Sequence, residues 1–175
     1  MGDKKLIRLS GIALESLSNG PGMRRVFFSQ GCIHECKNCF NPGTHSFSAG
    51  VLRDMDELIK DIGENPMLRG ITFSGGDPFE QATKFAYMGQ KIKAMSLNIW
   101  CYTGYTYEYI LRNRYSRIGW KDLLSCIDVL VDGKFKEDKK VPGLRFRGSE
   151  NQRIIDVKES LKLGYIIILN QERNI

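Results

Sequence analysis

At 175 residues, 42% hydrophobic and 26% charged, the chain has the composition of an ordinary globular domain. It is long enough for a proper core, short for a closed eight-fold barrel, and lacks any apolar run able to span a bilayer. A net charge of +6 leaves open an acidic protein, a nucleotide or a nucleic acid as partner, while five cysteines, an odd number without the framework of a small secreted scaffold, favour a reducing cytoplasm.

Leu6 to Gly22 reads as short strands or turns that close at the dense turn Asn19-Gly20-Pro21-Gly22. Arg24 to Ser29, with the apolar run Val26-Phe27-Phe28, reads as a buried strand. It feeds a loop over about residues 30–41 that carries Cys32, Cys36 and Cys39, spaced by three residues and then two. Three thiolates in one short loop fit a cubane iron–sulfur cluster, whose full cysteine ligation needs a fourth Cys. Cys101 and Cys126 lie far along the chain and read as small core residues, so one iron keeps open coordination sites, and an open metal site is where chemistry takes place. The rival is zinc held by these cysteines with His34 or His45, in a binding module rather than an enzyme. Structural zinc usually pairs two close-spaced knuckles, and only one is present. A dithiol at Cys36 and Cys39 leaves Cys32 unexplained. His34 and His45 themselves read as surface residues.

Asp54 with Glu57 forms a capping-box pattern, and Met55, Leu58, Ile59 and Ile62 follow at helical spacing. Gly70 to Ser74 is the next expected strand. A helix is expected over Pro78 to Met95, with Phe85, Met88, Ile92 and Met95 on one stripe. Leu97 to Tyr102 reads as a strand, Thr106 as the cap of a helix running towards Tyr115, and Ile127 to Val131 as a further strand. Arg153 to Val157 and Tyr165 to Leu169 complete the strands, separated by a helical turn that ends at Gly164. The tyrosines from Tyr102 to Tyr109 read as core and rim packing rather than a base-stacking platform.

Strands alternating with helices predict parallel βα units, and strands buried on both faces explain the continuous apolar runs. In such sheets ligands gather at the carboxyl ends of the strands. The cysteine loop, Gly75-Gly76-Asp77-Pro78, Thr103-Gly104 and Asp132-Gly133-Lys134 each directly follow an expected strand, so four motifs fall on one rim. The open iron can take a chelating amine and carboxylate. Gly75 and Gly76 let backbone approach such a ligand closely. Beyond them, a loop over about residues 134–147 carries Lys134, Lys136, Lys139, Lys140, Arg145 and Arg147 against Glu137 and Asp138. No nucleic-acid motif accompanies it. Arg147, Ser149, Asn151 and Gln152 form a polar cluster expected at the rim or at a docking surface.

Cys-x3-Cys-x2-Cys followed one βα unit later by Ser74-Gly75-Gly76-Asp77-Pro78 resembles the radical S-adenosylmethionine (SAM) superfamily. Within it the chain is similar to the subgroup that activates anaerobic ribonucleoside-triphosphate reductase. The segments carrying this resemblance are Asn19 to Gly22, Phe27 to Cys32, Cys39-Phe40-Asn41, Thr103-Gly104-Tyr105, Val129 to Phe135 and Arg147 to Gln152, in the expected order.

The resemblance implies an α/β fold, an incomplete and open parallel βα barrel formed by a single domain over 1–175. It implies one [4Fe–4S] cluster on Cys32, Cys36 and Cys39, with SAM on the remaining iron. It further implies cleavage of SAM to a 5′-deoxyadenosyl radical, which installs a glycyl radical on the large subunit of the reductase. Cofactor contacts are implied at Asn38, Cys39, Phe40, Gly75, Gly76, Asp77 and Thr103, and at Asp132 and Lys134, an Asp-x-Lys element of related activases. Many superfamily members place an aromatic before the third cysteine; this chain has Asn38 there and Phe40 after it. No acid–base pair is required. The implied partners are the reductase and an electron donor of flavodoxin or ferredoxin type, with no membrane and no direct nucleic-acid binding. An activase of another glycyl-radical enzyme and a small-molecule radical SAM enzyme share the same motifs.

Overall fold

The computed structural model describes residues 5–169. Strand β1 (Leu6–Ser16) turns at Asn19–Gly22 and pairs antiparallel with β2 (Arg24–Ser29). After the cysteine loop, β3 (Val51–Asp54) pairs antiparallel with the other side of β1 and leads into α1 (Met55–Gly63). Then come β4 (Gly70–Gly75), a 3-10 turn at Pro78–Gln81, α2 (Ala82–Ala94) and β5 (Asn98–Tyr102). Helices α3 (Tyr107–Asn113) and α4 (Trp120–Cys126) precede β6 (Val129–Asp132). Strand β7 (Arg153–Asp156), α5 (Val157–Leu163) and β8 (Ile167–Ile168) end the described chain. All eight strands form one open sheet in the order β3-β1-β2-β4-β5-β6-β7-β8. Among the described residues no helix is long and apolar enough to cross a membrane.

The expectation of an α/β fold holds, with a correction to the strand directions. Only β2, β4, β5 and β6 run parallel; β1, β3, β7 and β8 are antiparallel to their neighbours. A parallel strand needs a crossover that carries the chain back to the far end of the sheet. Between β6 and β7 the chain has a single 3-10 turn, Glu137–Lys139, and stays at the rim, so β7 starts there and runs the other way. Three local expectations are corrected too. The segment from Leu6 is one 11-residue strand, the helix expected from Pro78 begins at Ala82, and β3 and α4 are additional elements.

Capping fixes the helix starts. The Asp54 carboxylate accepts from the amides of Asp56 (2.9 Å) and Glu57 (3.2 Å), and that of Asp156 accepts from Glu159 (2.9 Å). One sheet face packs Phe27, Ile71, Phe73 and Ile99 against Phe85, Met88 and Ile92 of α2 and Leu123 of α4. Each such buried side chain stabilises the fold by roughly 1.5–3 kcal/mol. The opposite face carries a smaller cluster, Trp100, Val131 and Ile154, and beside it the fully buried Arg24.

Arg24 has no carboxylate partner. Its guanidinium donates to Thr72 Oγ1 (2.8 Å) and to the carbonyls of Ile71 (2.7 Å), Pro21 (3.2 Å) and Asn98 (3.3 Å). Burial lowers its pKa to about 10, and these oxygens satisfy the donors that water would otherwise take. The Asn19–Gly22 turn wraps this side chain, and Gly70 leaves it room, since a Cβ there would stand 2.5 Å from Nη1.

Candidate active site

The carboxyl ends of β2, β4, β5 and β6 open into a cavity of about 530 Å³, within the size range of small-molecule sites. Cys32, Cys36 and Cys39 all line it. Their loop is held from below by backbone: the Gly31 amide donates to Thr44 O (2.8 Å), Cys32 to His45 O (3.2 Å) and Cys39 to Cys36 O (3.2 Å). Glu35 and Asn38 take left-handed conformations, φ 47° and 52°, which turn the loop tightly enough to bring the thiols onto one cavity.

All five cysteines are free. Burial pushes the Cys32 thiol up to about 11 and also raises that of Cys36, where the Phe135 backbone and the Lys134 charge act in the opposite direction. Thiolates at Cys32 and Cys36 are therefore unfavourable by themselves, and a bound cationic centre is what drives such ligands to lose their protons. Soft thiol donors suit iron–sulfur clusters and zinc alike. Among the described residues, however, no three His, Cys, Asp or Glu side chains close around a single metal ion.

The glycine turn after β4 is sewn to this loop. Gly76 N donates to Ser29 O (2.8 Å) and Asp77 N to Gly31 O (2.9 Å). Gly75 sits at φ 96°, where a side chain is strained. A Cβ on Gly76 would run into the Gly31 carbonyl, so only glycine allows the two backbones this close. Gly75 and Gly76 both line the cavity, as do Thr103 and Phe40.

Asp77 lies beneath that lining and is fully buried. Its carboxylate accepts from Thr103 Oγ1 (2.8 and 3.0 Å), from the amides of Gly104 (3.0 Å) and Phe79 (3.0 Å), and pairs with His34 Nε2 (2.7 Å). It braces three rim segments and has little capacity left for a ligand. His34 is the residue that sequence reasoning missed. Expected at the surface, it is buried, edge-on to Tyr105 with ring centroids 4.4 Å apart, and lines the cavity. A Cβ on Gly104 would occupy the space of its ring. The only hint in the chain was an imidazole inside the cysteine loop; its partner lies 43 residues away.

The Asp-x-Lys pair divides. Asp132 is 1% exposed, and its carboxylate accepts from Tyr107 N (2.8 Å) and Arg153 Nε (3.0 Å), with a second contact to Arg153 Nη2. Arg153 is in turn bidentate to Glu108 (2.9 and 2.7 Å). Lys134 instead reaches the cysteine loop, with Nζ 3.5 Å from His34 O. Asn38 turns its amide towards Glu137, away from the cavity lining. Phe40 packs on Phe135, centroids 4.7 Å apart.

The polar cluster at residues 147–152 ties the long loop down. Gln152 donates to Gly133 O (2.9 Å) and accepts from the amides of Gly148 (2.7 Å) and Ser149 (3.2 Å). Asn151 donates to Lys134 O (2.8 Å), and the buried Ser149 hydroxyl accepts from Lys136 N (3.1 Å). Arg147 and Gln152 also line the cavity.

The chain matches the 4Fe-4S single cluster domain family over residues 18–155. It is 40% identical over 144 residues to the anaerobic ribonucleoside-triphosphate reductase-activating protein of Vibrio cholerae, covering 78% of this chain and 89% of that protein. Identity to the protein of the same name in Escherichia coli K12 is 37% over 142 residues, covering 77% and 88%. The one in Enterobacteria phage T4 is 33% identical over 143 residues, covering 78% and 85%.

Proposed function

This chain belongs to the 4Fe-4S single-cluster family of anaerobic ribonucleoside-triphosphate reductase-activating proteins, and from that membership we propose that it installs the radical of the anaerobic reductase. Cys32, Cys36 and Cys39 would hold a [4Fe–4S] cluster, one thiolate short of full ligation, and so leave it able to take SAM. When bound and reduced, this pair would supply one-electron cleavage of SAM and the radical that takes a hydrogen atom from a backbone glycine of the reductase.

The chain's own residues bind, orient and exclude. The backbone at Gly75 and Gly76 approaches the amino acid end of SAM, with Thr103 beside it, while Asp77 keeps these segments in register with the cysteine loop. Phe40 and the backbone at Asn38 and Cys39 take the adenine side. Lys134 lies on the cysteine loop and supplies positive charge close to Cys36, while Asp132 serves by holding Arg153 and the start of α3. The cytoplasm, where thiols stay reduced, is the compartment that suits five free cysteines.

The observation that carries this reading is the convergence of three cysteines, one fewer than a closed cubane needs, on a cavity at the carboxyl rim of the parallel strands. Anaerobic reconstitution tests it. Four irons and four sulfides per chain, 5′-deoxyadenosine after reduction, and a doublet radical on the reductase are expected. Zinc at one per chain without sulfide would overturn it. SAM cleavage without a protein radical would assign the site to a small-molecule substrate or another glycyl-radical enzyme.

A further inference from the structure

The long loop between β6 and β7 is only partly absorbed by the site. Its inner side, at Gly133, Phe135, Gly148 and Gln152, lines the cavity. Its outer side carries Lys136, Lys139, Lys140 and Arg145, all exposed. Among the described residues none of these four forms an ion pair. What sets them apart is their density, four exposed cations within ten residues beside the cysteine loop. The acids of the loop offset little, because Glu137 is turned to Lys37 (3.8 Å) and Asn38.

The loop that bears these cations sits against the cysteine loop. Glu137 ties the loop to Lys37 and Asn38, Phe135 packs on Phe40, and Lys140 Nζ stands 5.0 Å from the centre of the Phe40 ring. Phe40 directly follows Cys39, lines the cavity, and is still 59% exposed. One edge-connected surface thus joins unpaired positive charge to the outer wall of the thiol cavity, with an aromatic ring between.

We propose that this surface, Lys136, Lys139, Lys140 and Arg145 with Lys140 beside Phe40, is where an acidic one-electron carrier protein docks to reduce the cluster. The inference rests on the proposed function, which needs an electron from outside the chain. One electron leaves the carrier's reduced flavin, oxidising it, and reduces the oxidised cluster by one; no bond forms or breaks and no proton is required. Charge complementarity of this kind raises association rates by about 10–1000-fold at low ionic strength and is screened over roughly 8 Å in physiological salt. Phe40 directly follows Cys39 in the chain, so docking there brings the donor next to a proposed cluster ligand.

The test is stopped-flow reduction of the reconstituted protein by flavodoxin hydroquinone, compared with reduction by photoreduced deazaflavin, a small neutral donor. The Lys139→Glu/Lys140→Glu variant is expected to slow the flavodoxin reaction about tenfold at low salt, with the gap closing as salt rises. The deazaflavin rate is expected to stay unchanged. A milder Lys139→Gln/Lys140→Gln variant, which adds no new charge, is expected to slow the flavodoxin reaction about threefold. Equal flavodoxin rates in wild type and both variants would overturn the proposal, as would equal slowing with both donors. Undisturbed reduction with loss of radical transfer would overturn it by giving the surface to the reductase instead. Failure of the proposed function itself is separable, because it shows in the wild type as absence of a reducible cluster, and this proposal would fall with it.

Discussion

His34 Nε2 stands 2.7 Å from Asp77 Oδ2, and this contact joins the cysteine loop to the turn after β4 from the inside. Both side chains are buried, and Asp77 also holds Thr103 and Gly104 after β5. Three rim segments from distant parts of the chain therefore meet on one carboxylate. The shape of the cavity depends on it.

Removing that carboxylate leaves buried donors on Phe79, Thr103 and Gly104 without acceptors. Each unsatisfied group costs about 1–3 kcal/mol, so Asp77→Ala is expected to destabilise the metal-free protein by at least about 3 kcal/mol. His34→Ala, which removes one partner only, is expected to cost about 1–2 kcal/mol. Denaturant unfolding measures both, and a loss under about 1 kcal/mol for Asp77→Ala would contradict the brace.

Space at the glycines makes a second, independent check. Gly104→Ala collides with the His34 ring and Gly76→Ala with the Gly31 carbonyl, so both are expected to lose roughly 2–3 kcal/mol and to take up less iron. At Gly43 an added Cβ meets nothing within 4 Å, and Gly43→Ala is expected to lie within about 0.5 kcal/mol of wild type.

The thiols differ in role. Alanine at Cys32, Cys36 or Cys39 is expected to abolish cluster content by iron and sulfide analysis. Cys101→Ala and Cys126→Ala remove small buried groups packed in the core, and are expected to keep the cluster at a cost of about 1 kcal/mol. Equal loss of iron in all five would overturn the ligand assignment.

Acid sensitivity should report on Asp128. Burial alone would raise its pKa, but Lys158 and Lys93, both at 2.7–2.8 Å, and the Ile99 amide at 2.7 Å win and hold it below the usual carboxylate range. A depressed carboxylate stabilises the fold above its unfolded pKa of about 3.9 and loses that contribution as pH falls through the lower folded value. Urea midpoints measured downward from pH 5 are expected to fall less steeply in Asp128→Asn than in wild type. Parallel curves would refute the assignment.

Asp132 and Lys134 should separate in a stability assay. Asp132→Ala leaves Arg153 to Glu108 alone and the buried Tyr107 amide without its acceptor, and is expected to cost about 2–3 kcal/mol, whereas Lys134→Ala is expected to stay within about 1 kcal/mol.

What the chain made legible was local. The cysteine spacing, the Gly75-Gly76 turn and the apolar strands Arg24–Ser29 and Gly70–Gly75 depend on near neighbours, and each lies as read. The direction of β7 was hidden because it depends on where the loop before it travels, not on the strand's own residues. Strand β3, Val51–Asp54, is exposed almost throughout and has no buried face to reveal it; pairing with Leu6–Leu9 makes it a strand. Helix α4 starts at Gly119 without a side-chain cap, so no capping motif marked it. His34 was misread for the same reason as β7: its environment is built by residues far away in sequence. The Asp-x-Lys element was visible as a motif, yet only the fold separates a buried Asp132 that holds Arg153 from an exposed Lys134 that reaches the cysteine loop.

The sheet never meets itself, since β3 and β8 end it on opposite flanks instead of pairing. On the proposed function, a short-lived radical formed at the cavity would meet an edge that no strand among the described residues closes. Its survival would then belong to the complex rather than to this protein, with the incoming macromolecule acting at once as reactant and as the missing shield.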